Sequence, residues 1–287
     1  MKDKSNEHHS LLEKLQVKEF PQPDVIQVKH PILFCHGFGA LASILKPSLL
    51  HDPCMLARKH GIVAFAPNVV PYARIETRAE SWLKIIDTLT SQYGYEKFNI
   101  VAHSMGGLDV RYALSNLGLS DRVASLTTVA TPHHGTYLAE LILKTPEPIK
   151  EKLSELFDWF GNQVYPDGGS DARGSAEQLT RSYMEEVFNP SNPNAPGVAY
   201  YSYACAVGKG TDHPLNPIYL FQNTQIYDEE GLNDTFVSVE SAKWGDYLGI
   251  GYISHIEQIN VQVPRSRSKL YREFWLGLLR QLGTQNH

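Results

Sequence analysis

The stretch Asn99-Ile100-Val101-Ala102-His103-Ser104-Met105-Gly106-Gly107-Leu108 decides how the rest of the chain is read. Its first half is apolar and β-branched, as a buried strand is. A serine interrupts it, and two glycines lead into the helix-like run Leu108-Asp109-Val110-Arg111-Tyr112-Ala113-Leu114. A strand that turns into a helix through one serine lifts the hydroxyl above the carboxyl edge of a sheet. The backbone there is tight, so the residues two before and two after the serine must be small. Here they are Ala102 and Gly106, and Gly107 leaves room for the helix to pack. The helix N-terminus then faces the serine and favours negative charge developing beside it.

Outward from that corner the chain alternates. "VIQVKHPILFCHG" reads as one or two strands ending at His36-Gly37, and "GIVAFAPNVV" as another. Residues 75–92 place Trp82, Ile86 and Leu89 on one helical face. "VASLTTVATP" and "VAYYSYACAV" are further strands, and a final helix carries Leu270, Tyr271, Phe274, Trp275, Leu278, Leu279 and Leu282. Strands alternating with helices predict an α/β protein with a mostly parallel sheet covered on both faces. The pattern changes over 146–190. There Ile149, Leu153, Leu156, Phe157 and Phe160 form one helical stripe. Ser175 and Gln178 have capping-box spacing before a second helix with Leu179, Val187 and Phe188. The expected organisation is an N-terminal arm at 1–23, a core at 24–145 and 191–287, and a helical cap, or lid, at 146–190.

Composition narrows the function classes. The chain has 287 residues, 42% hydrophobic and 20% charged, with a formal net charge of −5. That is an ordinary globular balance, with no electrostatic footprint for nucleic acid. Cys35, Cys54 and Cys205 are an odd, sparse set that argues against a disulfide framework. Cys35 reads as core, and a Cys54–Cys205 bridge is the one pairing left open. The first ten residues lack the apolar core of a secretory signal, and no apolar stretch approaches the ~20 residues that span a bilayer. The expectation is a cytoplasmic protein.

A serine is a poor nucleophile unless a base takes its proton, and the base needs an orienting carboxylate. On a sheet of this kind the chain order is serine, acid, histidine. After Ser104 the histidines are His133, His134, His213, His255 and His287. His287 is terminal, His133 and His134 come too early for an acid to precede them, and His213 precedes the last strands. His255, in "GYISHIEQIN", is left. Asp228, Glu229, Glu230 and Asp234 compete for the acid. Asp228 to Glu230 read as a solvated acidic loop. Asp234 sits in a loop expected to enter a short helix, and is favoured. Two backbone N–H groups would bind a tetrahedral oxyanion. One is that of Met105, after the nucleophile. The other is that of Phe38, in "FCHGFGAL", where Gly37 and Gly39 allow close approach.

"HGFG", "AHSMGG", "TPHHGT", "GLNDTFVSVESAKWG" and "SHIEQIN" occur in the order seen in lipases of the α/β-hydrolase superfamily. The chain resembles intracellular fungal triacylglycerol lipases and lidded bacterial true lipases over about residues 30 to 260. The resemblance implies a Ser104–Asp234–His255 triad, the amides of Phe38 and Met105 as oxyanion hole, and hydrolysis of lipid esters. It implies the cap as a lid; no cofactor is expected for the chemistry, and the partners considered are a lipid ester substrate and peripheral contact with a lipid droplet or membrane surface. His133 and His134 are then structure near the site rather than metal ligands. Two departures stand out. Thr235 takes the place of the glycine usual after the acid, and Glu257 takes the place of an aspartate that helps hold a structural calcium in the bacterial relatives. Asp212 and Glu257 are the calcium candidates, against the alternative that Asp212 caps a turn and Glu257 pairs with a base. A carboxylesterase for short soluble esters, or a phospholipase or acyltransferase with the same triad, is the nearest rival function. A non-catalytic binding protein on the same fold is the remote one.

Overall fold

The computed structural model describes residues 23–38, 47–144, 171–261 and 263–285. Six strands form its sheet: β1 Ile32–Cys35, β2 Ala64–Phe65, β3 Phe98–His103, β4 Val123–Val129, β5 Ala199–Cys205 and β6 Asp246–Gly251. They lie in the order β2-β1-β3-β4-β5-β6, and every pairing is parallel. The order runs outward in one direction from β1 to β2 and in the other from β3 onward. The reversal between β1 and β3 opens a crevice at the carboxyl ends of those two strands. His36-Gly37-Phe38 and Ser104 lie at those two ends.

Both faces of the sheet are covered, and the side chains show why. Along β1, Ile32 and Phe34 pack into one cluster with Trp275, Leu278 and Leu279, whereas Leu33 and Cys35 pack into another with Trp82, Ile86 and Val110. This is the period of two of a strand buried on both sides. The first cluster is capped by α1 His51–Lys59 and by the last helix, α8 Ser268–Thr284. The second is capped by α2 Ile75–Tyr93 and α3 Gly106–Asn116. A third cluster sits around the nucleophile corner and holds Phe38, Met105, Leu138, Leu179, Met184 and Phe236.

Several expectations change in detail. Val25–Lys29 is not a strand, so "VIQVKHPILFC" supplies one strand rather than two. The arm up to residue 22 and the stripe from Ile149 to Phe160 lie outside the described residues. Ser175 and Gln178 do not form a capping box. Asp171 caps the helix α5 Ala172–Gln178, accepting from the Gly174 amide at 2.8 Å, while Ser175 Oγ donates back to the Asp171 carbonyl. The single second helix is in fact two. Thr180 starts a new helical run over 181–191, which widens into a π-turn at Met184–Phe188.

This 171–191 segment is tied to the core by polar contacts. Gln178 accepts from the Ile75 amide and donates to Glu76, Arg181 reaches Glu140 on α4 Tyr137–Lys144, and Asp171 pairs with Arg74. All three cysteines are free and buried, so Cys54 and Cys205 are not bridged. No helix among the described residues is long and apolar enough to cross a membrane.

Candidate active site

Ser104 ends β3 with φ 56°, in the left-handed region that non-glycine residues rarely enter. Its neighbours hold it there. The Ser104 amide donates to the Val129 carbonyl at 2.9 Å, and its carbonyl accepts from Thr131 Oγ1 at 2.7 Å and from the Gly107 amide at 3.1 Å. The small residues are required by contact. A Cβ on Gly106 would fall 2.6 Å from the Cys35 carbonyl oxygen, and one on Gly107 would run into the Thr131 side chain.

His255 and Asp234 arrive at this corner from far along the chain. His255 Nε2 lies 2.9 Å from Ser104 Oγ, and His255 Nδ1 lies 2.7 Å from Asp234 Oδ2. Asp234 is fully buried, and four donors surround it without a cation. Its Oδ1 accepts from the amides of Phe236 and Val237 at 3.0 and 2.8 Å. Its Oδ2 accepts from His255 Nδ1 and from Gln258 Nε2, the latter at 2.8 Å. A carboxylate can only accept, so His255 carries its proton on Nδ1 and presents Nε2 to the serine as an acceptor. The Asp234 carbonyl also accepts from the His255 amide at 2.9 Å, and the Phe236 ring stacks on the imidazole at 4.8 Å. The expected helix after Asp234 is absent. A tight turn closed by an Asn233–Ser238 bridge takes its place, and it is this turn that aims two amides at the carboxylate. The rival acids sit elsewhere. Asp228 and Glu230 lie on the helix α6 Leu220–Glu230 rather than a loop; Asp228 pairs with Lys209 and Glu230 accepts from the Tyr137 amide.

The loop after β1 lies against the serine corner. A Cβ on Gly37 would fall 2.6 Å from Ser104 Cβ and 2.9 Å from the Met105 nitrogen, so only glycine permits the approach. Arg78, fully buried on α2, fixes this loop. Its Nη2 donates to the carbonyls of His36 and Gly37 at 2.7 and 3.1 Å, its Nη1 to Val70 at 2.7 Å, and its Nε to Asp109 Oδ2 at 2.9 Å. His36 completes the brace, with Nε2 accepting from the Val69 amide and Nδ1 donating to the Gly37 carbonyl. In a trans peptide C=O and N–H point in opposite directions. Holding the Gly37 carbonyl toward Arg78 therefore turns the Phe38 N–H the other way. Burial raises the Asp109 carboxyl to about 6, opposed by the Arg78 charge, and lowers His36 to about 3.

With this geometry in view, sequence comparison has a clear meaning. The family described as the alpha/beta hydrolase fold matches residues 30–181, just over half of the chain. The chain belongs to the α/β-hydrolase fold family. Among the relatives of this hydrolase is "Triacylglycerol lipase 2" of Saccharomyces cerevisiae, 26% identical over 91% of this chain and 88% of that protein. Another is the "Triacylglycerol lipase" of Pseudomonas fragi, 25% identical over 86% of this chain and 93% of that protein. A Bacillus licheniformis lipase in its mature form shares the fold, with a TM-score of 0.65 and 20% identity, covering 91% of this chain and 96% of that one.

Of the calcium candidates in this hydrolase, Glu257 is engaged by a base and Asp212 is exposed. Glu257 Oε1 and Oε2 accept from Arg267 at 2.5 and 3.0 Å, and Oε2 also accepts from the Ser254 amide at 2.7 Å. Ser254 and Glu257 thus form a capping box on the short helix α7 His255–Gln258, and a guanidinium fills the cation position. Asp212 is exposed in the turn after β5. No group of three or more His, Cys, Asp or Glu side chains among the described residues could hold a metal. The alternative pairing of Glu257 with a base is what the structure contains.

His133 and His134 are not a metal pair either. His133 Nδ1 accepts from Arg111 at 3.2 Å, and its Nε2 donates to Thr128 Oγ1 at 3.0 Å. Arg111 is buried, and the partners it reaches among the described residues are neutral. It lies 3.6 Å over the Trp244 ring and reaches Asn189 Oδ1 and the Asn192 carbonyl, which fastens the end of the 181–191 run to α3. Burial lowers its basicity to about 9. The sequence singles out Ser104, Asp234 and His255, which the fold brings together, and Phe38 and Met105 as candidate amides; it gives little sign of Arg78, Asp109, His103 and Gln258, which gather beside them. For His103 the only signal was its place beside the nucleophile, and for Gln258 its place one short helical turn after His255.

Proposed function

We propose that this hydrolase cleaves carboxylic esters of lipids, triacylglycerols foremost, through an acyl-enzyme on Ser104. One observation carries the reading: an unbroken hydrogen-bonded chain from Ser104 Oγ through His255 to Asp234, set on a corner at φ 56°. His255 Nε2 takes the Ser104 proton as Oγ attacks the ester carbonyl. The imidazolium that forms is held by Asp234 Oδ2, and the oxyanion is received by the Phe38 and Met105 amides. His255 then gives its proton to the departing alcohol. Water releases the acyl group by the same path in reverse. No cofactor enters these steps.

Three features favour a lipid ester. Met105, next to the serine, belongs to an apolar cluster with Phe38, Leu138, Leu179, Met184, Phe236 and Val237. The two curated relatives named above are triacylglycerol lipases. Ile218, Leu220 and Phe221 are about half exposed at the start of α6, giving an apolar surface for peripheral contact with a lipid interface.

The test is hydrolysis of p-nitrophenyl esters from acetyl to palmitoyl, with emulsified trioctanoin and triolein, by the wild type and Ser104→Ala. Cleavage of long esters and emulsions, abolished in the variant, is expected. Cleavage of short esters alone would make the protein a carboxylesterase. Activity that survives Ser104→Ala would overturn the role of the serine.

A further inference from the structure

Asp234 has a second side-chain donor besides His255, and that donor leads to a second imidazole. Gln258 is fully buried on α7. Its Nε2 lies 2.8 Å from Asp234 Oδ2, and its Oε1 lies 2.8 Å from His103 Nε2. Only the amide nitrogen can face a carboxylate, so the amide oxygen faces the imidazole. His103 Nε2 must then carry a hydrogen. The His103 ring, one residue before the nucleophile, lies 4.6 Å from the His255 ring. The backbone of Gln258 is pinned as well: its amide donates to the Ser254 carbonyl at 3.0 Å, and its carbonyl accepts from Trp275 Nε1 at 3.0 Å.

We propose that Gln258 is a positioning residue for the hydrolysis assigned above, holding Asp234 on one side of His255 and a neutral His103 on the other. The inference rests on that assignment. The amide is charge-neutral, so Asp234 stays the one carboxylate on His255 Nδ1. It also fixes the tautomer of His103. Burial, and then the neighbouring His255, push His103 well below the ordinary histidine range. A neutral ring beside His255 leaves the imidazolium formed during catalysis without an adjacent positive charge. His36 adds to the lowering of His103, and Cys205 and Glu257 are further ionisable groups near Asp234. The Cys205 thiol is pushed well up by burial, and Glu257 is engaged by Arg267.

Two variants of similar size separate positioning from mere packing. Gln258→Met fills the space without a donor or acceptor. It should lower kcat about tenfold, the effect of losing a hydrogen bond to a buried charge, with KM unchanged. Gln258→Glu sets a second carboxyl against Asp234. It should move the acid limb of kcat/KM upward by about one pH unit, because added negative charge beside His255 favours its charged form. Wild-type kcat with an unmoved acid limb in Gln258→Glu, or a loss in Gln258→Met carried by KM alone, would overturn the proposal.

Should either variant fail to fold, the wild type still decides. Its imidazole ¹H–¹⁵N spectrum should show His103 as an Nε2–H tautomer that does not titrate between pH 7 and pH 5. A titrating His103, or one protonated on Nδ1, contradicts the proposal. Loss of ester hydrolysis in wild type, or its persistence in Ser104→Ala, would instead overturn the functional assignment and is read separately.

Discussion

Arg78 Nη2 lies 3.1 Å from the Gly37 carbonyl oxygen, and this one contact connects a fully buried ion pair to the peptide that presents the Phe38 N–H. The fork matters more than the charge. One guanidinium reaches His36, Gly37, Val70 and Asp109 together, which a lysine ammonium on a flexible stem cannot do. Arg78→Lys keeps a cation opposite Asp109 but frees the loop. Its kcat should fall roughly ten- to a hundredfold, toward the loss seen when an oxyanion donor is removed, with little change in KM. Steady-state kinetics on p-nitrophenyl butyrate, beside a thermal midpoint showing that the variant is folded, checks this. A kcat within twofold of wild type would detach Arg78 from the oxyanion loop.

How much of this could be read beforehand depends on the distance over which a signal travels. The corner at Ser104 is local: strand, serine, two glycines and helix follow one another, and each has its own pattern. Chain order leaves His255 as the base; among Asp228, Glu229, Glu230 and Asp234 it leaves the acid open, and Asp234 is favoured for its place in a loop. Arg78, Asp109 and Gln258 are ordinary helix residues whose meaning comes from contacts 31 or 24 positions away, as between Arg78 and Asp109 or Gln258 and Asp234. No periodicity marks such pairs. The partner of Glu257 was hidden for a similar reason, since Arg267 looks like any basic residue at a helix start until the fold sets it on Glu257. The helix expected after Asp234 failed because two amides turned toward one carboxylate hold a turn better than "TFVSVES", rich in β-branched residues, can propagate a helix.

The Glu257–Arg267 pair predicts how the enzyme answers to chelation. Arg267 contacts both carboxylate oxygens of Glu257 and the Tyr252 carbonyl, and Glu257 caps the helix that carries His255. Treatment with EDTA should leave the initial rate and the thermal midpoint unchanged. Arg267→Gln should lower the unfolding free energy by about 2 kcal/mol, because it leaves a largely buried carboxylate with weaker partners. Denaturant titration measures the second, and differential scanning calorimetry with and without calcium the first. A midpoint rising by several degrees with calcium would show that a metal does the work assigned to Arg267.

Three buried imidazoles predict the response of stability to acid. Burial foremost lowers His36 to about 3 and sets His103 and His133 well below the ordinary range. Arg78 lowers His36 further, His255 lowers His103, and Arg111 lowers His133. The unfolded chain protonates these rings near pH 6.5, and the native protein does not. Their contribution is present above that pH and is lost as pH falls through and below it. Asp109 acts in the opposite sense. Raised to about 6 by burial, it takes up a proton in the native state that the unfolded chain does not bind until near pH 4. The net uptake on unfolding is about two protons at pH 5–6, so the unfolding free energy should drop by about 2–3 kcal/mol between pH 6 and pH 5. Urea titrations at the two pH values give the difference directly. A flat profile across this interval would mean that the rings are charged in the folded state.

Thr235 carries the most strained backbone of the site outside the nucleophile. Its φ of 87° is costly for a β-branched residue, and its Oγ1 is buried without a hydrogen-bond partner. The turn keeps it there because the turn serves Asp234. The Thr235 amide donates to Asn233 Oδ1 at 2.9 Å, its carbonyl accepts from Gln222 at 2.8 Å, and the next two amides both reach Asp234 Oδ1. Glycine adopts this φ freely and brings no hydroxyl to bury. Thr235→Gly should therefore stabilise the fold by about 1 kcal/mol, the relieved strain exceeding the added entropy of the unfolded chain, while kcat stays within about twofold. Denaturant midpoints and ester hydrolysis on the same preparation check both parts. If Thr235→Gly is less stable than wild type, the threonine methyl contributes more by packing than the backbone loses by strain. If stability rises but kcat collapses, the threonine itself holds Asp234 in place.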